Sequence, residues 1–149
     1  MKGALLRLGV LLVLAGLALP FLLDLAMSRG LSHDEHQHIA AGMLWAREGL
    51  LPYRDYPHFH TPYLAFFYSL LFRFTDHLLL AGRLFSAVCA AAAVGLVGAA
   101  TAHAFRGHRP RAANLAIAGA VILAVTGQVF TVTTGHAWNH EPPILCALA

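Results

Sequence analysis

Three long uncharged apolar blocks constrain what this chain can fold into. They run from Leu8 to Leu23, from Leu84 to Ala102 and from Ala112 to about Val132. A helix that crosses the hydrocarbon core of a bilayer needs about 20 predominantly apolar residues. Hydrophobic residues make up 58% of the 149 residues and charged residues only 11%, which is more apolar than the composition of a water-soluble domain. The blocks therefore predict membrane-spanning helices.

The predicted fold is all-α and polytopic, with three complete transmembrane helices. The apolar run at 142–149 is typical of the start of a fourth span, so we expect an N-terminal fragment of a longer membrane protein. The first block has an alternative interpretation as a secretory signal. Lys2 and Arg7 precede it, and Ala26-Met27-Ser28 offers small residues for cleavage.

The basic residues predict the orientation of these spans. Lys2, Arg7 and the arginine-rich loop RGHRPR are expected on the cytoplasmic side, because cytoplasmic loops carry an excess of Lys and Arg. The uncharged run 62–72 is too short to span and rich in aromatic residues, so it predicts an interfacial helix. The expected organisation is span 1 at 4–27, an external segment at 28–80 with juxtamembrane helices, span 2 at 81–105, a cytoplasmic loop at 106–111, span 3 at 112–132, an external loop at 133–141 and the start of span 4 at 142–149.

The sequence disfavours nucleic-acid binding and cysteine-based disulfide or metal chemistry. The pI is about 9.2, but the basic residues are dispersed rather than collected in one stripe, so no nucleic acid is expected. Cys89 and Cys146 lie in apolar runs without the spacing of a metal site, and a disulfide between them is not expected.

Two adjacent carboxylates stand among histidines in the stretch SHDEHQH, residues 32–38. Ser32 followed by Glu35 is a capping-box pattern, which predicts a helix from His33 to Glu48 with Gly49 as its stop. Asp34 and Glu35 would then occupy the first turn, where the helix dipole favours ionised carboxylates. Such carboxylates are competent as a base or a metal ligand, but they are equally consistent with simple helix capping.

The histidines in this stretch leave a metal site open as a second interpretation. Zinc and manganese sites are built from imidazoles beside carboxylates. Asp34 and His38 are four residues apart and share one face of the predicted helix. They are therefore the candidate metal ligands.

Arginines near the ends of the apolar blocks are candidates for binding phosphate. Arg54 lies in the proline- and histidine-rich loop LLPYRDYPHFHTPY and can also pair with Asp55. Arg83 opens an apolar span and has no acid within one helical turn on its C-terminal side. A guanidinium matches phosphate oxygens well, whereas snorkelling of the side chain to the membrane surface is the alternative for Arg83.

Four ordered elements together resemble a known family. They are Asp34-Glu35, the segment GLLPYRDY at 49–56, His60-Thr61-Pro62 and the segment GRLFS at 82–86. In this order after one N-terminal span, they resemble the start of the GT-C membrane glycosyltransferases of the protein O-mannosyltransferase, aminoarabinose transferase and RgtA/B/C/D-like group. The resemblance runs from the first span to the end of the chain, but it covers only the N-terminal part of such an enzyme.

The resemblance implies an integral protein of the bacterial inner membrane, with its active site on the external, periplasmic face. The enzyme would move a sugar from a polyprenyl-phosphate donor to the hydroxyl of a glycan, lipid or protein acceptor, and these 149 residues alone are expected to be inactive. Asp34 would be the base and Glu35 its neighbour in support, while the donor phosphate would be held by Arg83, Arg54 and His60. The expected supporting residues are Tyr53, Asp55, His58, His140 and Glu141.

Two further function classes stay open. A divalent-metal transporter or sensor would use the histidines and acids as ligands, but transporters place ionisable residues within their spans, and the span interiors here carry none. A membrane-assembly module would use small residues such as Gly95 and Ala99 for helix packing. No cofactor is predicted with certainty, and a divalent metal is the one candidate.

Overall fold

The computed structural model describes residues 2–30 and 34–126, and its regular elements in these ranges are helices. They are α1 (Lys2–Ser28), α2 (Glu35–Met43), a π-helical turn (Leu44–Glu48), α3 (Tyr63–Leu71), α4 (Leu78–Ala104) and α5 (Pro110–Thr126). The all-helical character expected from the sequence is therefore present in the described part of the chain.

Helix α4 is the central element, because α1, α2 and α5 all pack against it. Leu22 of α1 is fully buried in a cluster with Ala87 and Ala90 of α4. Val94 of α4 contacts α5 in a second cluster that includes Ile117. Small side chains on α4 allow the backbones of neighbouring helices to approach closely. The core is thus a set of helix contacts along one long apolar helix.

The prediction of three complete membrane spans is wrong for the part of the chain that the structure describes. Only α4 is long and apolar enough to cross a membrane there. The other described apolar stretches, Leu19–Ser28 in α1 and Pro110–Thr126, are shorter than the roughly 20 residues that a span requires. Apolar composition predicted helices at these places, and within the described residues one of them has both the length and the composition of a membrane span.

Helices α2 and α3 form a tightly packed pair beside the start of α4. The buried side chains where the two helices meet are Leu64, Tyr68 and Phe72. Gly42 faces Tyr68 so closely that a Cβ atom at position 42 would lie 2.4 Å from the Tyr68 Cβ. A glycine is therefore required where the two helices meet.

The ends of these helices follow local sequence signals. The helix predicted to end at Gly49 does so: Gly49 has φ of 68°, and the Leu50 N–H donates to the Leu44 carbonyl at 3.3 Å. The uncharged run 62–72 forms α3, with Pro62 just before its first residue. Helix α5 begins with Pro110, inside the loop expected at 106–111, because proline suits the first turn of a helix.

Candidate functional site

A buried ion pair joins the start of α2 to the start of α4. The Arg83 Nε donates to Glu35 Oε1 at 2.8 Å, and Arg83 Nη2 donates to Glu35 Oε2 at 2.9 Å. The side chains are 4% and 1% exposed respectively. A bidentate contact of this kind fixes the relative orientation of both groups as well as holding them together.

The remaining Arg83 donors are bound by the chain that leaves α1. Nη1 donates to the carbonyls of Ala26 and Arg29, both at 2.9 Å, and Nη2 donates to the Gly30 carbonyl at 3.0 Å. A guanidinium carries five N–H donors, and these bonds together with the two to Glu35 use all five. The helix C-terminus is also the negative end of the α1 dipole, which favours a cation there. Arg83 thereby ties α1, α2 and α4 together.

Arg83 as a ligand of the donor phosphate stays a prediction. A phosphate at this guanidinium would have to displace bonds to protein acceptors that already satisfy it. The sequence offered phosphate binding or snorkelling for Arg83 and did not predict a protein partner, although a buried arginine needs one. That partner is Glu35, 48 residues away.

Asp34 lies beside Glu35 in sequence but in a different environment. Its side chain is exposed, and it makes no capping hydrogen bond at the start of α2. The simple capping interpretation of Asp34 is therefore not what the structure shows. The Ser32 half of the predicted capping box lies outside the described residues. Two adjacent carboxylates with separate environments can take separate roles.

Three histidines gather beside the start of α2. The ring of His38, which is 2% exposed, lies 4.6 Å from the ring of His60, and His60 lies 5.9 Å from His58. Tyr53 and Tyr56 pack edge-on against His58 at 5.7 and 6.3 Å. The loop between α2 and α3 thus brings together three histidines that had separate predicted roles. His38 was predicted as a metal ligand, His60 as a ligand of the donor phosphate and His58 as a supporting residue.

His58 carries a buried polar atom that has no partner among the described residues. Its Nε2 is buried and makes no hydrogen bond within the described residues. Burial, and then the nearby His60, lower the pKa of His58 below its ordinary value of 6.5. The imidazole is accordingly neutral near pH 7, and Nε2 is the kind of buried atom that calls for a water or a ligand.

The loop that carries these histidines is held by its own side chains. Tyr53 adopts a φ of 67°, unusual for a residue with a side chain, and its hydroxyl donates to the His60 carbonyl. Asp55 accepts from the Leu51 N–H at 2.7 Å and from Arg54 Nη2 at 2.7 Å. The Arg54 contact, followed by the Leu51 bond, lowers the pKa of Asp55. Tyr53 and Asp55 thus shape the loop.

Arg54 keeps its guanidinium toward solvent while it pairs with Asp55. Its side chain is 65% exposed, and the hydrogen bond to Asp55 raises its pKa. An exposed ion pair of this kind contributes little to stability. Unlike Arg83, Arg54 can therefore be approached by an anion from solvent.

For the metal site predicted at Asp34 and His38, the described residues offer no third ligand. Within residues 2–30 and 34–126, no group of three or more His, Cys, Asp or Glu side chains is placed to hold a metal ion. His140 and Glu141, the supporting residues predicted in the second loop, lie outside the described residues.

Comparison with known proteins returned no match. No protein-family model matches the chain, and neither a curated protein nor a solved structure is significantly similar to it. The function is therefore argued from the site's own residues and from the motif resemblance.

Proposed function

We propose that the chain is the N-terminal part of a membrane glycosyltransferase of the GT-C type. Such an enzyme transfers a hexose or pentose from a polyprenyl-phosphate donor to an acceptor hydroxyl. The observation that carries the proposal is that the two adjacent carboxylates differ in burial and in hydrogen bonding. Glu35 is buried and held by Arg83, whereas Asp34 is exposed and uncommitted at the start of α2. The ordered motifs that include these acids supply the reaction class.

Asp34 is the proposed general base. Its carboxylate is exposed at the N-terminal end of α2 and makes no capping hydrogen bond there, so an acceptor can reach it. As Asp34 takes the proton of the acceptor hydroxyl, the acceptor oxygen forms a bond to the anomeric carbon. The bond from that carbon to the donor phosphate breaks, and the polyprenyl phosphate leaves with the electron pair.

The departing phosphate needs stabilisation of its negative charge. We place Arg54 and His60 ahead of Arg83 in this role, because Arg83 is saturated by protein acceptors. Arg54 is exposed, and the ring of His60 packs against the ring of His58. Arg83 then acts by holding Glu35, the first residue of α2, and Asp34 immediately precedes it.

The proposed setting is the bacterial inner membrane, with the site on its outer face. Helix α4 has the length and composition to cross a bilayer, and Arg83 lies near its start. A site at that end of α4 is suited to a donor whose polyprenyl chain is in the membrane and whose sugar is at the surface.

The test is transfer of radiolabelled sugar in membranes that contain the full protein. We expect transfer from at least one member of a panel of polyprenyl-phosphate hexoses and pentoses, and none from the corresponding nucleotide sugars. Transfer from the nucleotide sugars with none from the lipid-linked panel would contradict the proposal.

Arg54→Gln tests the phosphate contact in the same assay. We expect a higher KM for the lipid-linked donor, because the variant removes a charged phosphate partner. The matched control is Arg109→Gln, which removes another exposed arginine, between α4 and α5. An equal rise in KM for both variants would show that general charge, rather than Arg54, determines donor binding.

A further inference from the structure

Helix α3 has two apolar faces, and only one of them is packed. Leu64, Ala65 and Tyr68 are at most 4% exposed against the rest of the protein. The other face shows side chains spaced by three and four residues, with exposed fractions of 71, 43, 42 and 39%. This α3 stripe consists of Tyr63, Phe66, Phe67 and Leu70.

The α3 stripe continues into neighbouring apolar surface. Phe74, three residues after the end of α3, is 88% exposed. Phe67 stacks on Phe85 of α4 with ring centroids 5.6 Å apart. Helix α4 then exposes Leu80, Leu84 and Val88 at four-residue intervals. Exposed apolar side chains that adjoin one another in this way are typical of surfaces that bind a protein or a membrane.

A basic groove lies at the end of the α3 stripe. It has a volume of about 430 Å³ and is lined by Arg47, Arg73, Phe74 and Asp76, among others. Arg47 pairs with Asp76 at 2.5 Å. Arg73 is exposed and makes no hydrogen bond or ion pair within the described residues. A free guanidinium next to exposed aromatic rings is suited to an anion at an apolar boundary.

We infer that the α3 stripe and the Arg73 groove form a surface that docks on the lipid bilayer and binds the phosphate of anionic phospholipid headgroups. Aromatic side chains are enriched at the level of lipid headgroups, and basic side chains next to them are attracted to anionic lipids. The apolar face of α4, the described helix long enough to span, adjoins the stripe. A lipid partner accounts for both the rings and the arginine, whereas a purely apolar protein partner leaves Arg73 unexplained.

The test measures which solvent surrounds the stripe. The full chain, with Cys89 and Cys146 replaced by alanine, is reconstituted into vesicles of phosphatidylcholine with or without phosphatidylglycerol. A nitroxide label is attached at Phe66→Cys, Phe67→Cys or Leu70→Cys, and Glu48→Cys is the exposed polar control. Collision rates of the label with oxygen, which partitions into lipid, and with a water-soluble nickel complex are then compared.

We expect the stripe positions to collide severalfold more with oxygen, relative to the nickel complex, than position 48 does. Nickel accessibility equal to that at position 48 would overturn the inference, because the stripe would then be in water. Low accessibility to both reagents would also overturn it, since a protein segment or a second copy of the chain would cover the stripe.

Arg73→Gln tests the headgroup contact. In vesicles that contain phosphatidylglycerol, this variant should reduce the ratio of oxygen to nickel collisions at position 70, whereas in pure phosphatidylcholine it should not. Arg109→Gln, which removes another exposed arginine outside the groove, is the control. No effect of Arg73→Gln in either lipid would overturn the role of the groove. The inference does not depend on sugar transfer, so it fails or stands separately from the proposed function.

Discussion

At the scale of single residues, the neighbouring acids Asp34 and Glu35 have unequal tasks. Glu35 is one half of a buried, fully hydrogen-bonded pair with Arg83. A buried ion pair contributes little net stability compared with apolar residues, but it is costly to break from one side, because the remaining charge stays buried without a partner. The pair therefore specifies how α1, α2 and α4 meet.

Removing one partner of this pair should destabilise the protein strongly. We expect Glu35→Ala and Arg83→Ala each to lower the free energy of unfolding by about 3–5 kcal/mol, measured by denaturant titration in detergent micelles. Asp34→Ala is the matched control, and as an exposed substitution it should stay within about 0.5 kcal/mol of the unmodified protein. Equal stability of Glu35→Ala and Asp34→Ala would refute the structural role of Glu35.

His58 should make stability fall in mild acid. Burial and His60 lower its folded-state pKa below 6.5, so the unfolded chain binds the proton more tightly than the folded protein does. The stability contributed by the neutral imidazole is complete above about pH 6.5 and is lost as the pH falls toward the lowered folded-state pKa. His58→Gln should reduce the fall in Tm between about pH 7.5 and about pH 5.5.

The matched substitution for this test is His77→Gln, since His77 is exposed at the start of α4. Its Tm should follow the pH in the same way as that of the unmodified protein. If His58→Gln and His77→Gln give the same pH dependence, the burial of His58 does not contribute to acid sensitivity.

The sequence predicted these residues better than it predicted their partners. The adjacent acids and the unaccompanied Arg83 were visible as local patterns. The contact of Glu35 with Arg83 spans 48 residues and depends on how three helices pack, for which no local pattern exists. The contact between the rings of His38 and His60 also depends on tertiary packing, so no local pattern predicted it.

At the scale of secondary-structure elements, the packing of α2 on α3 depends on one glycine. A Cβ atom at position 42 would lie 2.4 Å from the Tyr68 Cβ and 3.3 Å from the Tyr68 carbonyl carbon. Because a backbone atom is involved, a side-chain rotation alone does not relieve the contact. The two helices must separate if the residue becomes larger.

Gly42→Ala should therefore destabilise the protein by about 1–3 kcal/mol, as other overpacked cores do. Gly95→Ala is the control in α4, since a Cβ there meets no atom within 4 Å. Alanine also has the higher helix propensity, so the control should be neutral or stabilising by up to about 1 kcal/mol. Denaturant titration of both variants tests this, and a Gly42→Ala protein as stable as the control would contradict the packing of α2 on α3.

Two helix boundaries were predicted correctly where glycine or proline marks them. Gly49 ended a helix as expected, and the aromatic run after Pro62 formed α3. Three full spans were predicted, whereas the described residues contain one helix that is long and apolar enough to cross a membrane. The π-helical turn at Leu44–Glu48 had no signal in the sequence, and we have no physical account of why it replaces an α-helical turn.

At the scale of the whole molecule, α4 organises both the core and the candidate site. Its middle packs against α1 and α5, and its start holds Arg83. Through that residue the end of α1 and the first turn of α2 are fixed at one place, with Asp34 exposed beside them. Helix packing therefore positions the two acids, whereas the loop between α2 and α3 supplies Arg54 and His60.

The central claim is that Asp34 is the base and Glu35 a structural neighbour. The most direct test is the rate of sugar transfer from a polyprenyl-phosphate donor by Asp34→Asn, compared with the unmodified protein at equal amounts of folded protein in membranes. Loss of a general base predicts a fall of about 10²–10⁴-fold with unchanged stability. Full transfer by Asp34→Asn would contradict the account.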